Sequence, residues 1–324
     1  MVIEKVGQHR CIHDGCDLAV DGNGPCFWHD AARDKTGDEV RGALEDVAMS
    51  GASLAGFKLA HANLQGINLN RRGSKFGYDL SGADLFHADL RDAHLFQVDL
   101  TGASLMKAHL EGANLNHSKL RGANLLGVIF GNTKTENVDW GDQIRQHQAA
   151  AARAIGDRAA ELSCAAEAEE IYRNLRKQAE NAGRFETAGS FFVTEMVMRR
   201  YQMPPWSLAR FFSKSVDLFC GYGERPFRVV LFSVCLVLGC ALLYLFTGVQ
   251  GQGGMIAFDP NLGVLDNILI FLNILYFSVV TFTALGYGDM SPVGISRFIA
   301  ASEAFLGAFV LALFVVVFVK KMTR

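Results

Sequence analysis

Between residues 248 and 293 the chain has neither lysine nor arginine, although it holds 31 of them in all. Positive charge is withheld from this one stretch and gathered on either side of it. Net charge is also nearly missing: 31 basic against 33 acidic side chains leave −2. That balance gives no attraction to a polyanion, so a nucleic-acid partner is not expected. Cysteines are few and scattered, seven in 324 residues. They form a poor disulfide framework and suit a reducing compartment. An apolar leader is absent from the N-terminus, so the N-terminal half is expected to stay in the cytoplasm. No nucleophile–base set and no metal site with an open position stands out, so an enzyme is not expected.

Long apolar runs are present in the C-terminal third. Residues 227–247 and 295–319 are each long enough, at about 20 residues, to match the hydrocarbon thickness as helices. The alternative, a pair of buried helices in a soluble protein, runs against their being apolar on every face. Residues 267–283 are apolar but shorter, about 16 residues, and predict a helix that enters the membrane and returns. Arg210, Lys214, Arg225 and Arg228 flank the first run, and Lys320, Lys321 and Arg324 follow the second. The segment between carries only Asp259, Asp266 and Asp289 as charges. By this distribution both termini are expected in the cytoplasm. No membrane helix is rich in arginine, so a voltage sensor is not expected. The chain ends shortly after the second run, which predicts that any regulatory domain precedes it. Upstream, residues 204–222 place Leu208, Phe211, Phe212, Ser215, Val216 and Phe219 opposite Arg210, Lys214 and Asp217, with Trp206 leading. This suits a helix lying in membrane lipid at the interface, or one packed against a core.

Between the two long runs stands Thr283-Ala284-Leu285-Gly286-Tyr287-Gly288-Asp289. Glycines on both sides of a tyrosine, at membrane depth, suit a backbone whose carbonyls point into a pore. With Thr281, the stretch resembles the selectivity filter of the potassium channel family, T-x-T-x-V-G-Y-G-D. The resemblance implies a two-helix pore over residues 226–324 and four subunits around one axis. It implies ion binding by residues 283–288, with potassium ions held by the carbonyls of Ala284 through Tyr287. Tyr276 is then expected to brace Asp289. Ala284 departs from the family: threonine there adds a hydroxyl to the innermost site, and its loss is expected to weaken selectivity over sodium. Gly307 lies where the family often has a hinge, or it serves close helix packing. Counting turns from Gly307 puts Leu311, Val315 and Phe318 or Val319 toward the pore as a gate. Glu303, an acid in an apolar span, is expected to hydrogen-bond the filter scaffold.

Leucine returns every five residues at Leu54, Leu59, Leu64 and Leu69, then from Leu80 through Leu125, with Phe130 closing the series. Alanine stands two places earlier in many repeats, as in Ala83-Asp84-Leu85. A period of five fits neither helix nor strand, so residues 50–132 predict a solenoid of stacked coils. The pattern resembles the pentapeptide-repeat family, which implies a right-handed quadrilateral β-helix with about four repeats per coil. Between Leu69 and Leu80 the register slips by one, predicting a looped-out corner with Phe76 still buried. His61, His87, His94, His109 and His117 do not recur at 20-residue spacing, so no metal column is expected. An acidic, DNA-like face is not expected, because basic and acidic residues balance there.

In residues 1–35, Cys11, Cys16, Cys26 and His29 offer three thiolates and an imidazole, a full set for a structural zinc. Gly15, Gly22, Gly24 and Pro25 supply turns, and His13 is a substitute ligand. A disordered tail with chance cysteines is the other reading. Residues 140–202 read as a helical hairpin linker with Gly183 as its stop signal. Tyr172, Leu175, Ala179, Gly183, Ala188 and Phe192 resemble a single tetratricopeptide helix pair.

Together these readings give a multidomain chain: right-handed quadrilateral β-helix, α-helical hairpin linker, and an all-α tetrameric pore. The resemblances imply a homotetrameric potassium channel of a bacterial inner membrane, gated through its N-terminal part by an unknown cytoplasmic regulator. A less selective cation channel and a non-conducting membrane scaffold are the alternatives.

Overall fold

The five-residue leucine period becomes, in the computed structural model, a stack of coils closed by parallel bridges. Residues 9–20, 24–71, 73–74, 76–153 and 156–322 are described; Gly22 and Arg324 of the sequence reading lie outside them. The chain divides into two units, Met1–Pro205 and Trp206–Arg324.

In the first unit, bridges such as Asp79↔Asp99, Asp84↔Ser104 and Asp89↔His109 join residues 20 apart, four pentapeptides to a coil. The leucines and, from Ala62 onward, the alanines two places before them are buried to 2 % exposure or less. At every fifth position, from Gly56 to Gly66 and again from Gly82 to Asn137, the backbone turns through positive φ. Glycine adopts this readily, while His61, His87, Asp92 and Lys107 do so against their side chains. Pairing continues past residue 132, through Lys119↔Asp139.

The first coil is longer than the others, because Lys58↔Asp84 and Asn68↔His94 are 26 residues apart. The one-residue slip is therefore a six-residue insertion, absorbed outside the stack. Phe76 sits on that insertion and is 74 % exposed, not buried as expected, because no leucine column lies beneath it. The longer coil also changes the histidines. His61 and His87 share one column after all, with rings stacked at 5.3 Å.

Both ends of the stack are covered. At the start, the hairpin of β1 (His9–Arg10) and β2 (Ala19–Val20) leads into α1 (Glu39–Met49). Val40, Leu44 and Ala48 of α1 are buried, a spacing of four that the sequence reading left unassigned. Lys58 donates its N–H to the Trp28 carbonyl and Asn63 to that of Lys35. Trp28 also stacks on Phe57. This segment thus takes the place of a preceding coil. At the far end, α2 (Arg145–Arg153) packs on the hairpin of α3 (Arg158–Asn181) and α4 (Phe185–Gln202). Gln178 donates to the Thr133 carbonyl at 2.6 Å, and Trp140 meets Phe191 edge to face.

The second unit holds α5 (Leu208–Cys220), α6 (Pro226–Thr247), α7 (Val264–Phe282) and α8 (Ser296–Met322). A small sheet of β3 (Val249–Gly251), β4 (Gly254–Ile256) and β5 (Ser291–Pro292), in the order β4-β3-β5, ties their connections.

Candidate pore and metal centre

Four anchors place α7 between α6 and α8. Val249 pairs with Pro292, and the Ser296 hydroxyl donates to the Gly248 carbonyl, so the end of α6 and the start of α8 meet. Phe258 donates its N–H to the Leu245 carbonyl at 2.9 Å, which returns the chain to that same end before α7 begins. At its other end α7 meets Gly307: a Cβ there would lie 2.1 Å from the Phe282 carbonyl oxygen. Gly307 is eleven residues into α8, about 16 Å along its axis. Helix α7 therefore descends partway along α8, and residues 283–290 must climb back to β5. Eight residues reach at most about 26–29 Å, so they make this return without being fully extended.

Helix α7 begins three residues before the expected Asn267, with Gly263 extended as its cap and the Asn267 amide donating to the Asp259 carbonyl. At 19 residues it is apolar and long enough to cross a bilayer. Its course beside α8 is thus set by its anchors, which corrects the expectation from shortness.

In the returning segment Ala284, Gly286 and Gly288 have φ of 55°, 58° and 81°, while Leu285 and Tyr287 between them are not in the positive region. Such alternation lets consecutive carbonyls share one side of the chain, whereas a strand alternates them. Ala284 pays for it with a non-glycine left-handed conformation. Residues 284–288 are exposed, and the Thr283 hydroxyl is turned back onto the Val279 carbonyl at 2.7 Å. The Tyr276 hydroxyl and the Asp289 carboxylate are neighbours.

Glu303 is 1 % exposed. It accepts from the Tyr244 hydroxyl of α6 at 2.7 Å and contacts Ser278 of α7. Helix α8 runs unbroken through Gly307, whose missing side chain lets α8 touch the α7 backbone. Of its two readings, the structure supports packing. Leu311, Val315, Phe318 and Val319 are uncovered by the rest of the chain, while Val310 and Val317 pack with Val229 and Phe282. Helix α5 leaves Leu208, Phe211, Phe212, Val216 and the preceding Trp206 exposed, the last at 97 %. Among the described residues of the second unit nothing covers this face; of the expected set, Phe219 packs on Phe232 at 4.4 Å.

The second site lies in the first unit. Cys11, Cys16, Cys26 and His29 are all buried, with their ligand atoms within 4.8 Å of one another. A tetrahedral zinc with Zn–S of about 2.3 Å and Zn–N of about 2.05 Å would set its ligands roughly 3.5–3.8 Å apart. Cys16 and Cys26 Sγ are 3.8 Å apart, and Cys11 Sγ is 3.6 Å from His29 Nδ1. The donor set therefore fits. His29 Nε2 faces the Ala55 carbonyl at 3.1 Å, which leaves Nδ1 free to ligate and fixes the ring. The Cys26 N–H also points to Cys11 Sγ at 3.2 Å. Burial pushes the metal-free Cys26 thiol up to about 12, a cost that a cation in the cluster would offset. His13 stacks on His29 at 4.1 Å and is not among the four.

The second unit thus holds three helices long and apolar enough to cross a membrane, with positive-φ residues in the segment that follows the second of them. Comparison with known proteins agrees. Residues 253–324 match the family described as ion channel, and residues 79–115 and 103–134 match the pentapeptide repeats. The chain thus joins an ion-channel domain at its C-terminal end to pentapeptide repeats in its N-terminal region. Neither is a family of enzymes. Protein LctB of Bacillus caldotenax is 33% identical over 79 residues, 24% of this chain and 58% of that protein. Its counterpart in Geobacillus stearothermophilus is 35% identical over 72 residues, 22% of this chain and 53% of that one. The chain spans little more than half the length of these relatives. Among solved structures, HetL, a pentapeptide repeat protein involved in heterocyst differentiation regulation from the cyanobacterium Nostoc sp., is 29% identical, with a TM-score of 0.16 over 28% of this chain and 57% of that one. The pentapeptide repeat protein Rfr23 from the cyanobacterium Cyanothece is 30% identical, with a TM-score of 0.12 over 26% of this chain and 60% of that one.

Proposed function

We propose that four copies of this chain form a potassium-selective channel in a bacterial inner membrane, with both termini in the cytoplasm. The returning segment after α7 carries this reading, because backbone of this kind at membrane depth is tolerated only where it is buried in protein or lines a water-filled path, and residues 284–288 are not covered within the chain. Residues 283–288 form the filter, and Tyr276 holds Asp289 beside it. Leu311, Val315 and Phe318 or Val319 ring the inner path and close it by dewetting. Zinc on Cys11, Cys16, Cys26 and His29 is structural, since four protein ligands leave no open position. The repeats form a right-handed four-sided β-helix that serves as the cytoplasmic scaffold through which a regulator acts. The uncovered apolar face of α5 rests in lipid at the cytoplasmic interface.

A second reading, a less selective monovalent cation channel, is favoured by Ala284, which removes four hydroxyls from the innermost site of a tetramer. Purified protein in liposomes tests both. Potassium flux well above sodium flux is expected; equal fluxes would support the second reading, and flux of neither ion would leave a scaffold.

A further inference from the structure

The buried contact between α6, α7 and α8 leaves one hydrogen to be accounted for. Ser278 Oγ lies 2.9 Å from the Val237 carbonyl of α6 and 2.5 Å from Glu303 Oε1 of α8. A serine hydroxyl has one hydrogen, and a carbonyl has none to give. If Ser278 donates to Val237, the contact with Glu303 needs its hydrogen from the acid. The other carboxyl oxygen, Oε2, accepts from Tyr244 at 2.7 Å. Charge gives the same answer. The groups that meet Glu303 are Tyr244 and Cys240 from α6 and Ser278 from α7, all of them neutral donors or acceptors. The basic residues described on α6 and α8, Arg228, Arg297, Lys320 and Lys321, stand near helix ends. An ionised carboxylate buried among apolar helices without a cation is strongly disfavoured.

We infer that Glu303 is held as a neutral carboxylic acid whose hydrogen completes a chain from Glu303 to the Ser278 hydroxyl to the Val237 carbonyl. It is a positioning residue: it fixes α7 about one turn before the returning segment and ties it to both flanking helices. Loss of that proton breaks one of the two Ser278 bonds and frees the base of the segment. Its consequence for conduction rests on the channel reading above; the protonation itself does not.

The test uses the full chain in liposomes. Infrared difference spectra between wild type and E303Q at neutral pH are expected to show the carbonyl band of a protonated acid, absent from the variant. S278A, which retains the acid but removes its acceptor, is expected to shift that band. This readout does not depend on conduction. For ion flux, E303Q presents an N–H and a carbonyl where the neutral acid presents O–H and carbonyl. It is expected to conduct within about twofold of wild type, whereas E303A loses about tenfold, as for an orphaned buried donor. Raising pH is expected to lower wild-type flux and to leave E303Q flux unchanged. Absence of the acid band, an unmoved band in S278A, or E303Q as impaired as E303A would each overturn the inference.

Discussion

A methyl group on Gly307 would have to occupy space 2.1 Å from the Phe282 carbonyl oxygen and 3.1 Å from its Cα. Both atoms are backbone, so no side chain can swing aside, and α7 and α8 must part. Gly307→Ala is expected to cost about 1–3 kcal/mol, as overpacking does, and to lower both the melting temperature and ion flux. Unchanged melting and flux would return Gly307 to the role of a hinge. The sequence offered the glycine but not its partner, since Phe282 is 25 residues away. Ala284 is similar. Its departure from threonine is legible in the chain, whereas its left-handed φ of 55° emerges only in the folded loop. The Cys11, Cys16, Cys26 and His29 set was complete in the sequence, because turn-forming residues between ligands leave few other uses for buried thiols.

At the scale of elements, the N-terminal segment and α1 replace a coil at the open end of the stack, and the cluster of Cys11, Cys16, Cys26 and His29 sits at that junction. His29 contributes one nitrogen to the cluster and turns the other to Ala55 at the start of the first coil. Removing zinc with a chelator is therefore expected to expose the first coil to protease around residues 54–69 while later coils stay protected. His29→Ala should do the same without chelator, and one zinc per chain should be found by elemental analysis. Uniform protection of all coils after metal removal would show that the cap holds without the ion. Helix α1 escaped the sequence reading because its three buried positions are too few to separate from a polar linker. The six-residue insertion escaped it because a period of five cannot distinguish one extra residue from six. Phe76 was misplaced for the same reason.

For the whole molecule, a single chain leaves residues 284–288 and the Leu311–Val315 face of α8 uncovered. Irregular backbone at membrane depth needs other protein or a water-filled path around it. Cryo-electron microscopy of the purified particle is expected to show fourfold rotational symmetry about an axis through these residues. Any other symmetry there would remove the pore and with it the proposed function. The apolar runs, the missing positive charge between them and the leucine period fixed the classes of structure by themselves, since each is a periodicity or a length that neighbours in sequence can express. How α7 turns back, which hydrogen Glu303 keeps and where the long coil absorbs its insertion were decided by tertiary structure. Those outcomes depend on groups far apart along the chain, such as Val237 with Ser278 and Phe282 with Gly307, competing for the same space and the same proton.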